Sequence, residues 1–191
     1  MNPQRLVPAA LVLAFGLALL VQCRASEPAP TRKVSASWDV VYQVLQHPRC
    51  INCHPAGDTP LQGDEGRVHG QNVQRGPEGT GLFALRCTDC HQTQNGPGPN
   101  LPPGAPHWQL PHPDMPLVFQ GRSSAELCRQ LADPATNGHR TPEELLQHVT
   151  SDPLVLWGWD PGEGRAPVAI PHAAFVSAMR SWIEGGCGCP E

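Results

Sequence analysis

The stretch CINCH at Cys50–His54 returns 37 residues later as CTDCH at Cys87–His91. Between and around the two units the chain shares little else, so the repeat of two cysteines spaced by two residues, with a histidine directly behind, is its most informative feature. The rest of the composition makes the question sharper. Of 191 residues, 39% are hydrophobic, 23 are proline and 19 are glycine. A chain so rich in turn formers has difficulty filling a core with its own side chains, and small proteins in that position recruit disulfides, metals or cofactors.

The Cys-x-x-Cys-His order is the attachment signature of c-type haem. Two thiols at this spacing each add across one vinyl group of the porphyrin, and the following histidine lies against one face of the iron. Cys50, Cys53, Cys87 and Cys90 are therefore read as covalent anchors, and His54 and His91 as proximal iron ligands. Three other readings compete. Two Cys-x-x-Cys pairs can hold one zinc ion, a single pair can be a thioredoxin-like redox centre, and exported thiols can form structural disulfides. None of the three accounts for a histidine at the same place in both units. Two haems also answer the compositional problem, because each is a large apolar body around which Pro- and Gly-rich loops can wrap.

The N-terminus reads as an export signal. One basic residue, Arg5, precedes an uncharged run from Leu6 to Val21, too short for a comfortable membrane span, and small residues mark a cleavage point after Ala25. Two alternatives would anchor the protein to the membrane, a lipoprotein signal ending before Cys23 or an uncleaved signal. Residues 26–34 then form a flexible leader and 35–191 a single domain. Loss of 1–25 removes Arg5 and Arg24 from the 13 basic residues and none of the 17 acidic ones, shifting the formal charge from −4 to −6. Such a surface argues against nucleic-acid binding.

Helical periodicity appears first at Ser35–Pro48, with Trp38, Val41 and Leu45 on one face and Pro48 as terminator. Residues 56–80 show neither helical nor strand period and read as loop. The Pro-rich stretch from Gln92 to Phe119 contains Trp108, Leu110, Leu117, Val118 and Phe119, and reads as an ordered irregular strap. Three helices are expected beyond it. One begins at Ser123 or Ser124 as N-cap, and one has Thr141 as N-cap, Pro142 at its first position and Glu144 closing a capping box. The last carries Phe175, Val176, Met179 and Ile183 and stops at Gly185–Gly186. The expected fold is mostly α, a small cytochrome c-like helical domain with long Pro/Gly-rich loops around two haems. Cys128 is expected to bond to Cys187 or Cys189, with sequence alone favouring neither.

The sixth ligand of each iron decides between electron transfer and small-molecule binding. His69, Met115, His107 and His47 are the candidate distal ligands, with His69 assigned to one haem and Met115 or His107 to the other. His112 stands on the same strap as His107. His139, His148 and His172 read as surface residues, and Met179 as core.

The segments HPRCINCHPAGDTPLQGD (47–64), NVQRGPEGTG (72–81), RCTDCH (86–91), PPGAPHWQL (102–110), LCRQLADPATNGHR (127–140) and LVLWGWDPGEGR (154–165) resemble those of small exported dihaem cytochromes c. Similar proteins are labelled subunits of an isoquinoline 1-oxidoreductase type molybdenum hydroxylase. The resemblance implies a periplasmic electron-transfer protein or subunit, with the hydroxylation chemistry in a partner, since nothing in the chain resembles a molybdopterin or iron–sulfur site. The alternative is a small dihaem peroxidase or a haem-based sensor with one open iron.

Overall fold

The computed structural model describes residues 30–99 and 101–191; the expected signal peptide, the leader up to residue 29 and Cys23 lie outside them. Helix α1 spans Pro30–Leu45, so it starts before the expected Ser35 and takes in residues 30–34 of the expected leader. Its face of Trp38, Val41, Val44 and Leu45 is buried. Helix α2 (Pro48–Ile51) follows at once. Pro48 ends one helix and opens the next, because its missing N–H is harmless only in a first turn, and His47 Nδ1 accepts the Arg49 N–H at 3.2 Å as cap.

The 56–80 segment, expected to be loop, carries a small hairpin. Strand β1 (Leu61–Gln62) pairs antiparallel with β2 (Arg67–Val68), Leu61 opposite Val68. A second hairpin, β3 (Gly81–Leu82) with β4 (Leu85–Arg86), leads into a 3₁₀ turn at Cys87–Asp89. Two-residue strands are too short to write an alternation into the sequence. The strap follows without regular structure, then α3 (Ser124–Ala132), α4 (Pro142–Ser151), α5 (Pro153–Leu156), a 3₁₀ turn at Trp157–Trp159 and α6 (His172–Glu184). Ser123 and Thr141 cap α3 and α4 through reciprocal boxes with Glu126 and Glu144. Among the described residues the fold is helix-rich, with two separate two-stranded hairpins and no closed sheet. Among the described residues no helix is long and apolar enough to cross a membrane.

The helices build their own core. Helix α1 packs most extensively on α6 and also touches α3. Trp38 and Trp182 meet at 5.0 Å between ring centres, with Leu127, Leu131, Val149, Phe175 and Met179 around them. Each such buried side chain contributes about 1.5–3 kcal/mol. The Trp38 indole N–H donates to the Ser124 carbonyl and hydroxyl, so its polar end is satisfied. Cys128 of α3 is bonded to Cys189, which pins the tail behind α6 to the core and leaves Cys187 as a free thiol.

The helical core corrects one expectation, that the chain would struggle to fill a core from its own side chains. The shortage is confined to the segment between the helices. From 52 to 118 the buried apolar side chains among the described residues are Pro55, Pro60, Val73, Cys87, Ala105 and Leu110, spread among turns. That half is held by polar ties instead. Arg75, 1% exposed, donates to the Asp58 carboxylate and to the Gly57 and Pro111 carbonyls. Asn95 accepts from Trp157 Nε1 and from the Gly104 N–H.

Candidate functional site

Both Cys-x-x-Cys-His units fold into the same turn. The N–H groups of Cys53 and His54 donate to the Cys50 carbonyl, each at 3.1 Å, and those of Cys90 and His91 donate to the Cys87 carbonyl at 3.2 and 2.8 Å. A helical turn sets residues three apart on one side, so each pair of thiols shares a face and the histidine follows directly. The first turn grows out of α2. The second is set by the β3–β4 hairpin and by Asp89, whose carboxylate accepts the Arg86 N–H at 2.8 Å. All four thiols are free: neither Cys50–Cys53 nor Cys87–Cys90 is a disulfide.

The two imidazoles are held alike by the strap. His54 Nδ1 donates to the Leu117 carbonyl and His91 Nδ1 to the Pro103 carbonyl, each at 2.7 Å. A carbonyl only accepts, so Nδ1 carries the proton and Nε2 keeps its lone pair. Each ring is also backed by an aromatic. Phe119 stacks on His54 at 3.8 Å and 8°, and Trp108 on His91 at 4.4 Å and 6°. Trp108 in turn meets Trp157 edge-on at 5.0 Å, and the Arg49 guanidinium lies over the Trp157 ring at 5.6 Å, so packed groups run from the second motif back to the residue before Cys50. The strap pays in backbone strain: Leu117 has φ 46° and His107, just before Trp108, φ 60°. Non-glycine residues in the left-handed region cost of order 1–3 kcal/mol each and persist where surrounding structure imposes them.

Electrostatics keep these groups neutral. Burial pushes the Cys50 thiol up to about 12 and the Cys53 thiol up to about 11, with a neighbouring thiol adding to each and Arg49 opposing. For Cys53 that neighbour is Cys87, which places the two motifs within electrostatic range of each other. Both residues nevertheless retain some accessible surface. Burial lowers His54 to about 4, against the opposing pull of the Leu117 carbonyl, and the positive charges of His148, Arg75 and Arg140 lower it further. Burial also lowers His91, opposed by the Pro103 carbonyl and reinforced by His69 and Arg165. At neutral pH both rings present a neutral, ligand-ready Nε2.

Of the distal candidates, His69 is brought to the site: its ring lies 6.1 Å from that of His91. His47 serves as the α2 cap. Met115 is half-buried, two residues before the carbonyl that holds His54, and His107 is exposed. Among the described residues neither the His47 nor the His107 ring packs on a motif histidine. His148, read from sequence as a surface residue, lies close enough to His54 for its charge to be felt, with Nδ1 3.2 Å from the Asp152 carboxylate. The i,i+4 spacing of His148 and Asp152 was the available signal, and nothing in it pointed inward. His172 is half-buried, its Nε2 donating to the Val149 carbonyl.

No family model, curated protein or solved structure matches this chain. The donor set must therefore carry the chemical reading. Among the described residues no three His, Cys, Asp or Glu side chains are grouped to hold a bare metal ion, as zinc would require. Free paired thiols beside a single neutral imidazole suit instead a metal whose other donors arrive with a covalently attached cofactor. Two buried polar atoms in the first turn, Arg49 Nε and Asn52 Oδ1, also lack any protein partner. These residues fit haem c: Cys50, Cys53 and His54 would hold one, and Cys87, Cys90 and His91 the other.

Proposed function

We propose that this protein is an exported dihaem c-type cytochrome that carries electrons to or from a partner oxidoreductase, and that its loops wrap around the two haems. The observation that carries the reading is the identical construction of the two turns, with both thiols unbonded, Nδ1 tied to a strap carbonyl and Nε2 left free. When bound, haem iron supplies one-electron oxidation and reduction at each turn. The chain's own residues do the rest. The Leu117 and Pro103 carbonyls set the tautomer and raise the basicity of Nε2, and Phe119 and Trp108 stop the rings from turning. The export signal read from residues 1–25 fits a periplasmic setting, and the resemblance to subunits of molybdenum hydroxylases suggests an enzyme of that kind as partner.

The test is to mature the chain in a host with c-type haem machinery and measure covalent haem per chain, reduction by dithionite and response to carbon monoxide. Two covalent haems that cycle between oxidation states and ignore the gas are expected. Absence of covalent haem refutes the proposal, and a gas-binding haem that turns over peroxide replaces it with the peroxidase reading.

A further inference from the structure

We infer that His69 is the second axial ligand of the iron carried by the Cys87–His91 turn, so that a loop grown from the first motif closes the haem of the second. This rests on the dihaem reading above. An imidazole nitrogen sits about 2.0 Å from a first-row metal ion and about 1.1 Å from its own ring centre, so two imidazoles on opposite faces of one ion have ring centres about 6.2 Å apart. The His69 and His91 centres are 6.1 Å apart, with ring planes at 63°. A shared axis through both Nε2 atoms leaves the angle between the planes free, so 63° is compatible with it.

An edge contact between two rings would account for that distance alone, but not for how the rings are tethered. His91 gives its Nδ1 proton to Pro103 and His69 gives its own to the Gly70 carbonyl at 2.9 Å, which leaves an Nε2 lone pair on each. The backbone of His69 is fixed as well. Its N–H extends the β1–β2 ladder by donating to the Pro60 carbonyl at 2.9 Å, and the Gly70 N–H donates to Gln62 Oε1 at 3.1 Å. Directly beyond, Gln71 and Asn72 both take left-handed conformations, φ 62° and 53°, which turn the chain away as soon as His69 has been presented. Two consecutive non-glycine residues in that region mark a backbone imposed by its surroundings. The hairpin springs from the first motif, where the Leu61 N–H donates to the Asn52 carbonyl at 2.9 Å. Two imidazole ligands make this iron six-coordinate, closed to oxygen, peroxide and carbon monoxide, and lower in potential than a His/Met iron.

The test compares wild type, His69→Ala and His69→Met, each matured with haem, by covalent haem per chain, ferric electron paramagnetic resonance and carbon monoxide binding. Wild type should show a low-spin bis-imidazole signal. His69→Ala should keep two haems, with one equivalent turning high-spin, binding one carbon monoxide per chain and reverting on addition of imidazole. His69→Met should remain low-spin at one haem with a raised potential. Two haems per chain with spin state and gas binding unchanged in His69→Ala overturn this assignment and leave the dihaem reading intact, whereas absence of covalent haem in wild type overturns both. Should His69→Ala fail to accumulate, wild type and His69→Met decide: no bis-imidazole signal in the first, or no change of potential in the second, overturns the assignment.

Discussion

Asn95 joins the strap to the helical half, and replacing it by alanine measures how much that junction carries. Its Oδ1 accepts from Trp157 Nε1 at 2.8 Å and from the Gly104 N–H at 3.1 Å, and its Nδ2 donates to the Asp160 carbonyl at 3.1 Å. Trp157 and Gly104 are buried and Asp160 is exposed. Asn95→Ala therefore strands two buried donors at about 1–3 kcal/mol each, while the lost bond to Asp160 is replaced by water. Asn95 is itself half-buried, so some water can reach the gap, and about 2–4 kcal/mol in total is expected. Asn95→Asp retains both acceptor roles and loses the exposed bond, which should cost about 1 kcal/mol. Gly104 follows Pro103, the residue that holds His91, and a Cβ at Gly104 would run into the Gln92 and Gln94 carbonyls, so the chain there has little room to adjust. The assay is urea unfolding of the intact protein followed by far-ultraviolet circular dichroism. An Asn95→Ala protein within about 0.5 kcal/mol of wild type, or an Asn95→Asp protein equally damaged, would refute the reasoning.

Replacing Cys128 and Cys189 together by alanine should cost about 4 kcal/mol, the loop-closure value for their separation of 61 residues, whereas Cys187→Ala should change unfolding little. Arg75→Lys, which cannot reproduce the planar fork to Asp58, Gly57 and Pro111, should lose about 2–4 kcal/mol in the same assay, and a neutral result would mean that the fork is not needed. The Glu126 carboxyl is held below its ordinary range by hydrogen bonds from the Ser123 N–H and hydroxyl. Its contribution to stability is thus present above the ordinary carboxylate pKa and lost as pH falls through the lowered value. Glu126→Gln should melt earlier than wild type at neutral pH, with the gap closing in acid; a gap independent of pH would rule out the carboxylate as its source.

Local patterns reported faithfully on local structure. Thr141, Pro142 and Glu144 spell out the start of α4, and Ser123 with Glu126 that of α3, because a cap is made by residues three apart. The buried face of α1 follows from spacing alone, since a helix repeats every 3.6 residues whatever it packs against, whereas in α6 Phe175 and Met179 are buried as expected but Trp182 takes the place expected for Val176 and Ile183, which are half-buried. The two Cys-x-x-Cys-His units are local in the same sense, their thiols and imidazole lying within five contiguous residues. Elsewhere no such register existed. The hairpins are too short to show a period, the early start of α1 lies in a polar stretch, and His148 looks like any exposed helical histidine.

Sequence by itself therefore determined that each pair of thiols has a histidine directly behind it, and where the capped helices begin, all of which depend on neighbours along the chain. Tertiary structure alone decided that Cys128 bonds to Cys189, that the Leu117 and Pro103 carbonyls hold the two imidazoles, and that His69 stands against His91. Backbone carbonyls are present at every residue and carry no letter in the sequence. Nor does the distance between two rings 22 positions apart exist until a hairpin from one motif has been laid across the other.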